Sequence, residues 1–286
     1  MEGFLTEDDT WQNTDEFPQA CQNLAQLLYK EAALQSGASV LDVGHASGDS
    51  LLLLARDYQP ALLHGVTSIP AQAYRARTRL AEQNKSSENL SWQVHCNDAV
   101  KFLDRGDEQK YDFIFALDCA YHFQTRKDFL TSCKGRLKPG GKVALIDLVA
   151  SHPYPDSGSF STFFTRSPKL PPPPQRKGRL HSMLKHYFVT LLSGVPLINL
   201  IPIERYYLDL HDAGFDEFSI KDISHLVFPG FARFLQKLGK EEEAAWRGGG
   251  MLQSAALRSF GSVVENWSKG GQEGMVRCVV VVAKVD

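Results

Sequence analysis

The residues with the clearest chemical potential lie in a glycine-rich turn, Val-Leu-Asp-Val-Gly-His-Ala-Ser-Gly-Asp-Ser, at positions 40–50. The apolar residues before it predict a short buried strand, and a helix is expected from Ser50 to Arg56. Gly44 allows a sharp backbone turn, and Gly48 allows a ligand to lie close to the main chain. A turn of this kind, at the carboxyl edge of the first strand, is where doubly wound folds bind nucleotides.

The same turn excludes two classes of phosphate-binding loop. A dinucleotide loop requires the pattern G-x-G-x-x-G, but its third and sixth positions are Ala46 and Asp49 here. The carboxylate of Asp49, at the start of the helix, would repel a diphosphate. The chain also lacks the G-x-x-x-x-G-K-[ST] run of an ATPase loop. The turn therefore favours a ligand that carries an adenosine and no phosphate.

Strands and helices alternate through the first half of the chain. The patterns predict strands at 38–44, 62–66, 90–95, 111–117 and 142–148, and helices at 50–56, 71–84, 99–103 and 126–136. This alternation predicts an α/β fold with a doubly wound, mostly parallel sheet. Strands at 215–221 and 275–283 bring the sheet to seven strands. Because no helix follows the last strand, we expect it at the sheet edge and antiparallel.

The chain divides into four predicted regions. Residues 1–36 form an N-terminal helical segment, and residues 37–150 form a Rossmann-like half that carries the glycine turn. Residues 151–205 form a proline-rich insertion, in which four consecutive prolines (171–174) are either a stiff spacer or a docking motif. Residues 206–286 complete the sheet, with helices expected at 204–213, 230–246 and 252–267. A further helix is expected at 180–192.

Bulk composition narrows the functional class. The formal net charge is −2, so the overall charge does not favour binding to nucleic acid. The five cysteines lie far apart without a C-x-x-C pair, which argues against a disulfide framework and against a thiolate zinc site. Acidic residues at positions 7–9 disfavour a leader peptide, and the apolar stretch 187–203 is too broken by glycine and proline to span a bilayer. We therefore expect a cytoplasmic protein with no metal.

Six ordered motifs carry a family resemblance. Positions 40–50 resemble the first motif of class I S-adenosylmethionine-dependent methyltransferases, hydrophobic-D/E-hydrophobic-G-x-G-x-G, with Ala46 replacing the middle glycine. Positions 65–72 resemble the second-strand region of the branch that modifies small metabolites, sterols and lipids. The remaining matches lie at 97–99, 111–123, 137–141 and 207–215. The likeness covers about residues 36–148 and, less closely, 204–232.

The resemblance implies S-adenosyl-L-methionine as cofactor. Its methionine part would lie in the glycine turn, and its adenine would contact Asp98 and Ala99, although Asp98 is also a natural N-cap for the following helix. The acidic ribose ligand usual in the family is replaced by Thr67 and Ser68, which leaves that contact open. The candidate cofactor residues are Asp42, Gly44, His45, Ala46, Gly48, Thr67, Ser68, Gln72, Asn97, Asp98, Ala99 and Asp118.

The resemblance also implies three catalytic candidates. His122 follows the fourth strand, where the methyl group should emerge, and a histidine can act there as the base. Asp147, at the end of the fifth strand, would lie near the acceptor, or would instead anchor a backbone turn. Tyr121 would position the cofactor or the acceptor. The alternative for His122 is helix capping or packing beside Tyr121 and Phe123.

By the same resemblance, residues 151–205 would form a helical substrate cap. Its aromatic residues suggest an apolar or flat acceptor, or else they only pack the insertion against the sheet. The expected function is transfer of a methyl group to oxygen, nitrogen or carbon of a small apolar or aromatic metabolite. The alternatives are a sterol or lipid methyltransferase at a membrane surface and a catalytically silent binding protein of this fold. The oligomeric state stays open.

Overall fold

A computed structural model describes residues 10–11, 14, 16–84, 90–105, 109–151, 195–245, 251–268 and 275–286. Seven strands form one sheet in the order β3-β2-β1-β4-β5-β7-β6. The first five strands are parallel and β7 is antiparallel to both of its neighbours, which confirms the predicted fold class. The strands are β1 (Ser39–Val43), β2 (Leu62–Thr67), β3 (Ser91–Cys96), β4 (Tyr111–Leu117), β5 (Leu137–Ala150), β6 (Glu217–Asp222) and β7 (Val276–Lys284).

The position of β7 differs from the prediction. It lies between β5 and β6 and pairs with both, so the expected edge position is wrong. Its consecutive valines, Val279, Val280 and Val281, are all buried, as is typical of a strand covered on both faces. The edge strand at this end of the sheet is β6, whose residues are exposed or half-buried.

Helices cover both faces of the sheet. They are α1 (Phe17–Glu31), α2 (Asp49–Leu53), α3 (Pro70–Gln83), α4 (Ala99–Leu103), α5 (Arg126–Arg136), α6 (Ile203–Asp212), α7 (Ser224–Ala245) and α8 (Met251–Ser268). A π-helical turn, Leu54–Tyr58, extends α2. Residues 152–194, which contain most of the predicted cap and its helix at 180–192, lie outside the described residues. Among the described helices, none is long and apolar enough to cross a membrane.

The core consists of two layers, one on each face of the sheet. Val40 belongs to the layer under α1, α3 and α7, whereas the next residue, Leu41, belongs to the layer under α4, α5 and α6. Ile146 and Leu145 alternate in the same way on β5. Because helices cover both faces of the sheet, the strands reach solvent mainly at their two ends, where each strand begins and where it finishes. The loops at the carboxyl edge therefore form the candidate site.

Candidate functional site

The carboxyl ends of the parallel strands bring the predicted cofactor residues to one edge. β1 lies between β2 and β4, with Val43 opposite both Val66 and Ala116. Backbone hydrogen bonds continue past the strand ends, from the Gly44 N–H to the Val66 carbonyl (2.8 Å) and from the Asp118 N–H to the Ile146 carbonyl (3.0 Å). The glycine turn and the segment after β4 therefore have fixed positions beside each other.

The glycine turn adopts the left-handed conformation at three alternate residues. The φ angles are +74° at Gly44, +47° at Ala46 and +93° at Gly48. A Cβ atom on Gly44 would lie 2.6 Å from the Sγ atom of Cys119, so the close approach of the β4 end requires glycine. A Cβ atom on Gly48 would lie 2.9 Å from the Cβ of Ala76 on α3. Glycine at position 48 therefore allows close packing against α3, a role that the sequence did not predict, and room for a ligand stays a prediction.

Ala46 occupies the position where the family motif has its middle glycine. Alanine is strained at φ +47°, and the residue is exposed, so glycine would remove the strain without loss of packing. We expect Ala46→Gly to raise the free energy of unfolding by about 0.5–1 kcal/mol in urea titrations. The control is Ala81→Gly, at an exposed position inside α3, which should lower it by about 1 kcal/mol. Equal losses in both variants would contradict the strain at Ala46.

Asp42 supports the turn from beneath. Its side chain is buried, and the Ser50 hydroxyl donates to its Oδ2 atom at 2.5 Å. Burial destabilises the charged form and raises the pKa of Asp42 to about 7. On the outer side, Arg79 donates from Nη1 to the Ser47 carbonyl at 3.0 Å. The hydrogen bond between Ser50 on α2 and Asp42 on β1 thus links these two elements next to the turn.

The raised pKa of Asp42 predicts a pH-dependent stability. Between about pH 4 and about pH 7 the folded protein holds a proton on Asp42 that the unfolded chain releases, so the free energy of unfolding falls as the pH rises. Asp42→Asn should remove this fall, which is at most about 4 kcal/mol across the window. Urea titrations of both proteins at several pH values test this. Parallel pH profiles would contradict it.

Buried nitrogen atoms on two polar side chains at this edge lack hydrogen-bond partners among the described residues. His45 is 4% exposed, and neither ring nitrogen is paired. The side-chain amide nitrogen of Asn97, directly after β3, is also unpaired. Burial lowers the pKa of His45 to about 4, so its ring is neutral at physiological pH. Because buried polar groups are normally hydrogen-bonded, these atoms indicate where a polar ligand belongs.

The other predicted cofactor residues differ in their exposure and in their hydrogen-bond partners. The Thr67 hydroxyl donates to the Oε1 atom of Gln72 at 2.9 Å, and Ser68 is exposed. Asp98 accepts from the Lys101 N–H at 3.0 Å and caps α4, which confirms the capping alternative. Ala99 is the first residue of that helix and is half-buried.

The segment after β4 contains Asp118, Tyr121 and His122. Asp118 has a φ angle of +54° and accepts a hydrogen bond from the Tyr121 hydroxyl at 2.9 Å. Its side chain is open to water, yet surrounding protein raises the pKa of Asp118 to about 6. Burial and the neighbouring Asp118 raise the pKa of Tyr121, whose ring lies 4.4 Å from the exposed ring of His122.

Asp147 differs from Asp118 and His122, which are exposed. Its side chain is fully buried, and its Oδ2 atom accepts from Arg126 Nη1 at 2.9 Å and from the Tyr206 hydroxyl at 2.8 Å. The structure therefore does not bring Asp147 to the surface where Asp118 and His122 lie. Sequence reasoning missed Arg126. A signal was present, since a cation at a helix N-terminus opposes the helix dipole and implies another partner.

Comparison with known proteins identifies the family. A family model described as a methyltransferase domain matches residues 13–218. Erythromycin 3''-O-methyltransferase of Saccharopolyspora erythraea is 29% identical over 225 residues, which cover 78% of this chain. The O-methyltransferase cnsE of Penicillium expansum is 30% identical over 125 residues, or 42% of this chain. The matched regions span only 65% and 42% of those two relatives.

The fold has relatives among solved structures. Phosphoethanolamine N-methyltransferase 2 of Haemonchus contortus, solved with phosphomonomethylethanolamine and S-adenosylhomocysteine, superposes with a TM-score of 0.63. The two are 14% identical, and the match covers 92% of this chain and 52% of the other. The family match includes the glycine turn, β1–β5 and α6, and it extends over more than half of the sequence. The chain therefore belongs to the methyltransferase-domain family.

Proposed function

We propose that the protein transfers a methyl group from S-adenosylmethionine to a small apolar or aromatic acceptor, with a hydroxyl oxygen as the favoured atom. The observation that carries this proposal is the pair of unpartnered buried polar groups, on His45 and Asn97, beside a glycine turn. They fit a ligand with polar edges and no phosphate. The preference for oxygen is supported by the names of two curated relatives, which are O-methyltransferases.

The cofactor supplies an electrophilic methyl group on a sulfonium. Our proposal assigns its binding to the backbone of residues 44–48 and to the ring of His45, which in its neutral form donates one hydrogen bond and accepts another. Asn97, Asp98 and Ala99 would meet the adenine. Thr67, Ser68 and Gln72 lie on the ribose side, and the carboxylate of Asp118 suits the ammonium of the methionine part.

On the acceptor side, His122 is proposed to take the proton from the hydroxyl. Methyl transfer to oxygen needs this proton removed, and the exposed imidazole of His122 follows the strand end where the acceptor must approach. The Tyr121 hydroxyl donates a hydrogen bond to Asp118, and the Tyr121 ring packs beside the His122 ring. We therefore assign Tyr121 to the positioning of both side chains. Asp147, being buried and ion-paired, is assigned a positioning role.

His122→Ala should lower the rate of methyl transfer to a hydroxyl acceptor by on the order of 100-fold. The affinity for S-adenosylhomocysteine should stay within about threefold, because His122 lies on the acceptor side. The rate is measured as transfer of labelled methyl groups to a metabolite extract. His211→Ala, at an exposed histidine on α6, is the matched control. Full activity of His122→Ala on an acceptor identified as a hydroxyl compound would disprove the base assignment.

The same extract assay tests the proposed function as a whole. A labelled product identified by mass spectrometry establishes the acceptor and the methylated atom. Binding of S-adenosylmethionine without turnover on any extract would favour the silent alternative, and flotation with sterol-containing liposomes would favour the membrane-surface alternative. A cytoplasmic setting is proposed as well, supported by five cysteines that are all free thiols.

A further inference from the structure

We propose that Asn199 is a positioning residue for the turn that carries Tyr121 and His122. The inference rests on the proposed function, because it assigns Asn199 to the acceptor side of the methyl-transfer site. Asn199 lies in the segment between β5 and α6, and the partners of its side chain are 73 positions or more away in sequence. Its side chain is 2% exposed.

One side chain holds the backbone on both sides of His122. The Nδ2 atom of Asn199 donates to the Tyr121 carbonyl at 2.9 Å and to the Phe123 carbonyl at 2.6 Å. Its Oδ1 atom accepts from the Arg126 N–H at 3.2 Å. These contacts hold the peptide unit directly before His122 and the unit that follows Phe123, and they thereby limit the directions in which the exposed His122 ring can leave the backbone.

Asn199 is itself anchored to the centre of the protein. Its backbone carbonyl accepts from Arg126 Nη2 at 2.8 Å, and Arg126 Nη1 reaches Asp147 on β5 at 2.9 Å. The guanidinium carbon of Arg126 also lies 4.1 Å from the centre of the Tyr206 ring on α6. The Tyr121–His122 turn is thus linked through Asn199 and Arg126 to β5 and α6.

Only an amide satisfies this arrangement. Two carbonyl oxygens need donors and one backbone N–H needs an acceptor, and a short primary amide supplies both from one position. An aspartate of the same shape would place an oxygen against both carbonyls. The His122 ring is exposed and adds little to the core, so precise placement of its backbone matters for the reaction more than for folding. A misplacement of about 1 Å at a reacting group costs on the order of 100-fold in rate.

The test compares Asn199→Asp with Asn23→Asp. Asn23 is a matched control, since its Nδ2 atom also donates to a backbone carbonyl, that of Thr10, but from α1. Protein labelled with ¹³C in histidine rings is studied by NMR without ligand, and the His122 resonance is assigned from its loss in His122→Gln. We expect the His122 resonance to move in Asn199→Asp, with that of His225 unchanged. In Asn23→Asp both resonances should keep their positions.

Two further measurements separate positioning from general damage. Affinity for S-adenosylhomocysteine, measured by calorimetry, should stay within about threefold in Asn199→Asp, while the rate of labelled methyl transfer falls on the order of 100-fold. If Asn199→Asp does not fold, Asn199→Ala replaces it, because water can then reach the two carbonyls without charge repulsion. A folded variant with an unmoved His122 resonance and an unchanged rate would overturn the proposal. If the wild-type protein fails to bind S-adenosylhomocysteine, the proposed function is wrong. The NMR comparison then still tests whether Asn199 positions the His122 ring.

Discussion

Gly44→Val is expected to weaken the binding of S-adenosylhomocysteine by on the order of 100-fold or more, while the protein remains folded. Its Cβ atom would lie 2.6 Å from Sγ and 2.9 Å from Cβ of Cys119, and the φ angle of +74° is strained for any branched residue. The turn must therefore shift away from β4. Calorimetry measures the affinity, and circular dichroism with thermal denaturation shows whether the fold persists.

Gly37→Val provides the control for backbone strain. Gly37 has nearly the same φ angle, +77°, but a Cβ atom there would meet nothing within 4 Å. Its replacement should lower stability by about 1–2 kcal/mol and leave the affinity for S-adenosylhomocysteine unchanged. Equal affinities in the two variants would show that the position of the 44–48 turn does not govern ligand binding.

Arg126→Met is expected to lower the free energy of unfolding by about 3–5 kcal/mol. The substitution leaves the Asp147 carboxylate buried without its cation, and it removes the hydrogen bonds from Arg126 to the Leu148 and Asn199 carbonyls. Urea titration measures the loss. Lys127→Met is the control, because the next residue forms an exposed ion pair with Asp212 at 2.7 Å, which should contribute about 1 kcal/mol or less.

A double variant separates the charge effect from lost packing. Arg126→Met combined with Asp147→Leu removes both charges and should recover a large part of the stability lost in Arg126→Met alone. If Arg126→Met were no more destabilising than Lys127→Met, the buried ion pair would not stabilise the region behind the site.

Local patterns predicted the elements of the sheet well. The strand β4 at 111–117 and the helix α5 at 126–136 have the predicted bounds. An apolar run and the cap of a helix are both formed by residues that are neighbours in sequence, so a short stretch of sequence is enough to predict them. The position of β7 was not predictable in the same way. A run of valines indicates a buried strand, but the strands that pair with it are distant in sequence: Asp222 on β6 is 57 residues before its partner Val279, and Ala150 on β5 is 126 residues before its partner Val276.

The same distinction applies to the candidate site. The glycine turn and the Asp98 cap are local features, and the structure brings them to one edge as the strand order requires. The Asp147 carboxylate accepts from the neighbouring Leu148 N–H, but its two side-chain partners, Arg126 and Tyr206, are 21 and 59 positions away, and the partners of the Asn199 side chain are 73 or more away. No short pattern encodes such pairs. Local sequence therefore left Asp147 either near the acceptor or as the anchor of a backbone turn, and its buried contacts support the positioning role that we propose for it.

The most direct measurement titrates S-adenosylmethionine and S-adenosylhomocysteine into the purified protein by calorimetry, with thermal denaturation in parallel. We expect one molecule bound per chain, a rise in melting temperature with ligand concentration, and loss of both effects in Gly44→Val. Folded wild-type protein that releases no heat and shows no thermal shift with either compound would contradict the assignment of the 44–48 turn as a cofactor site.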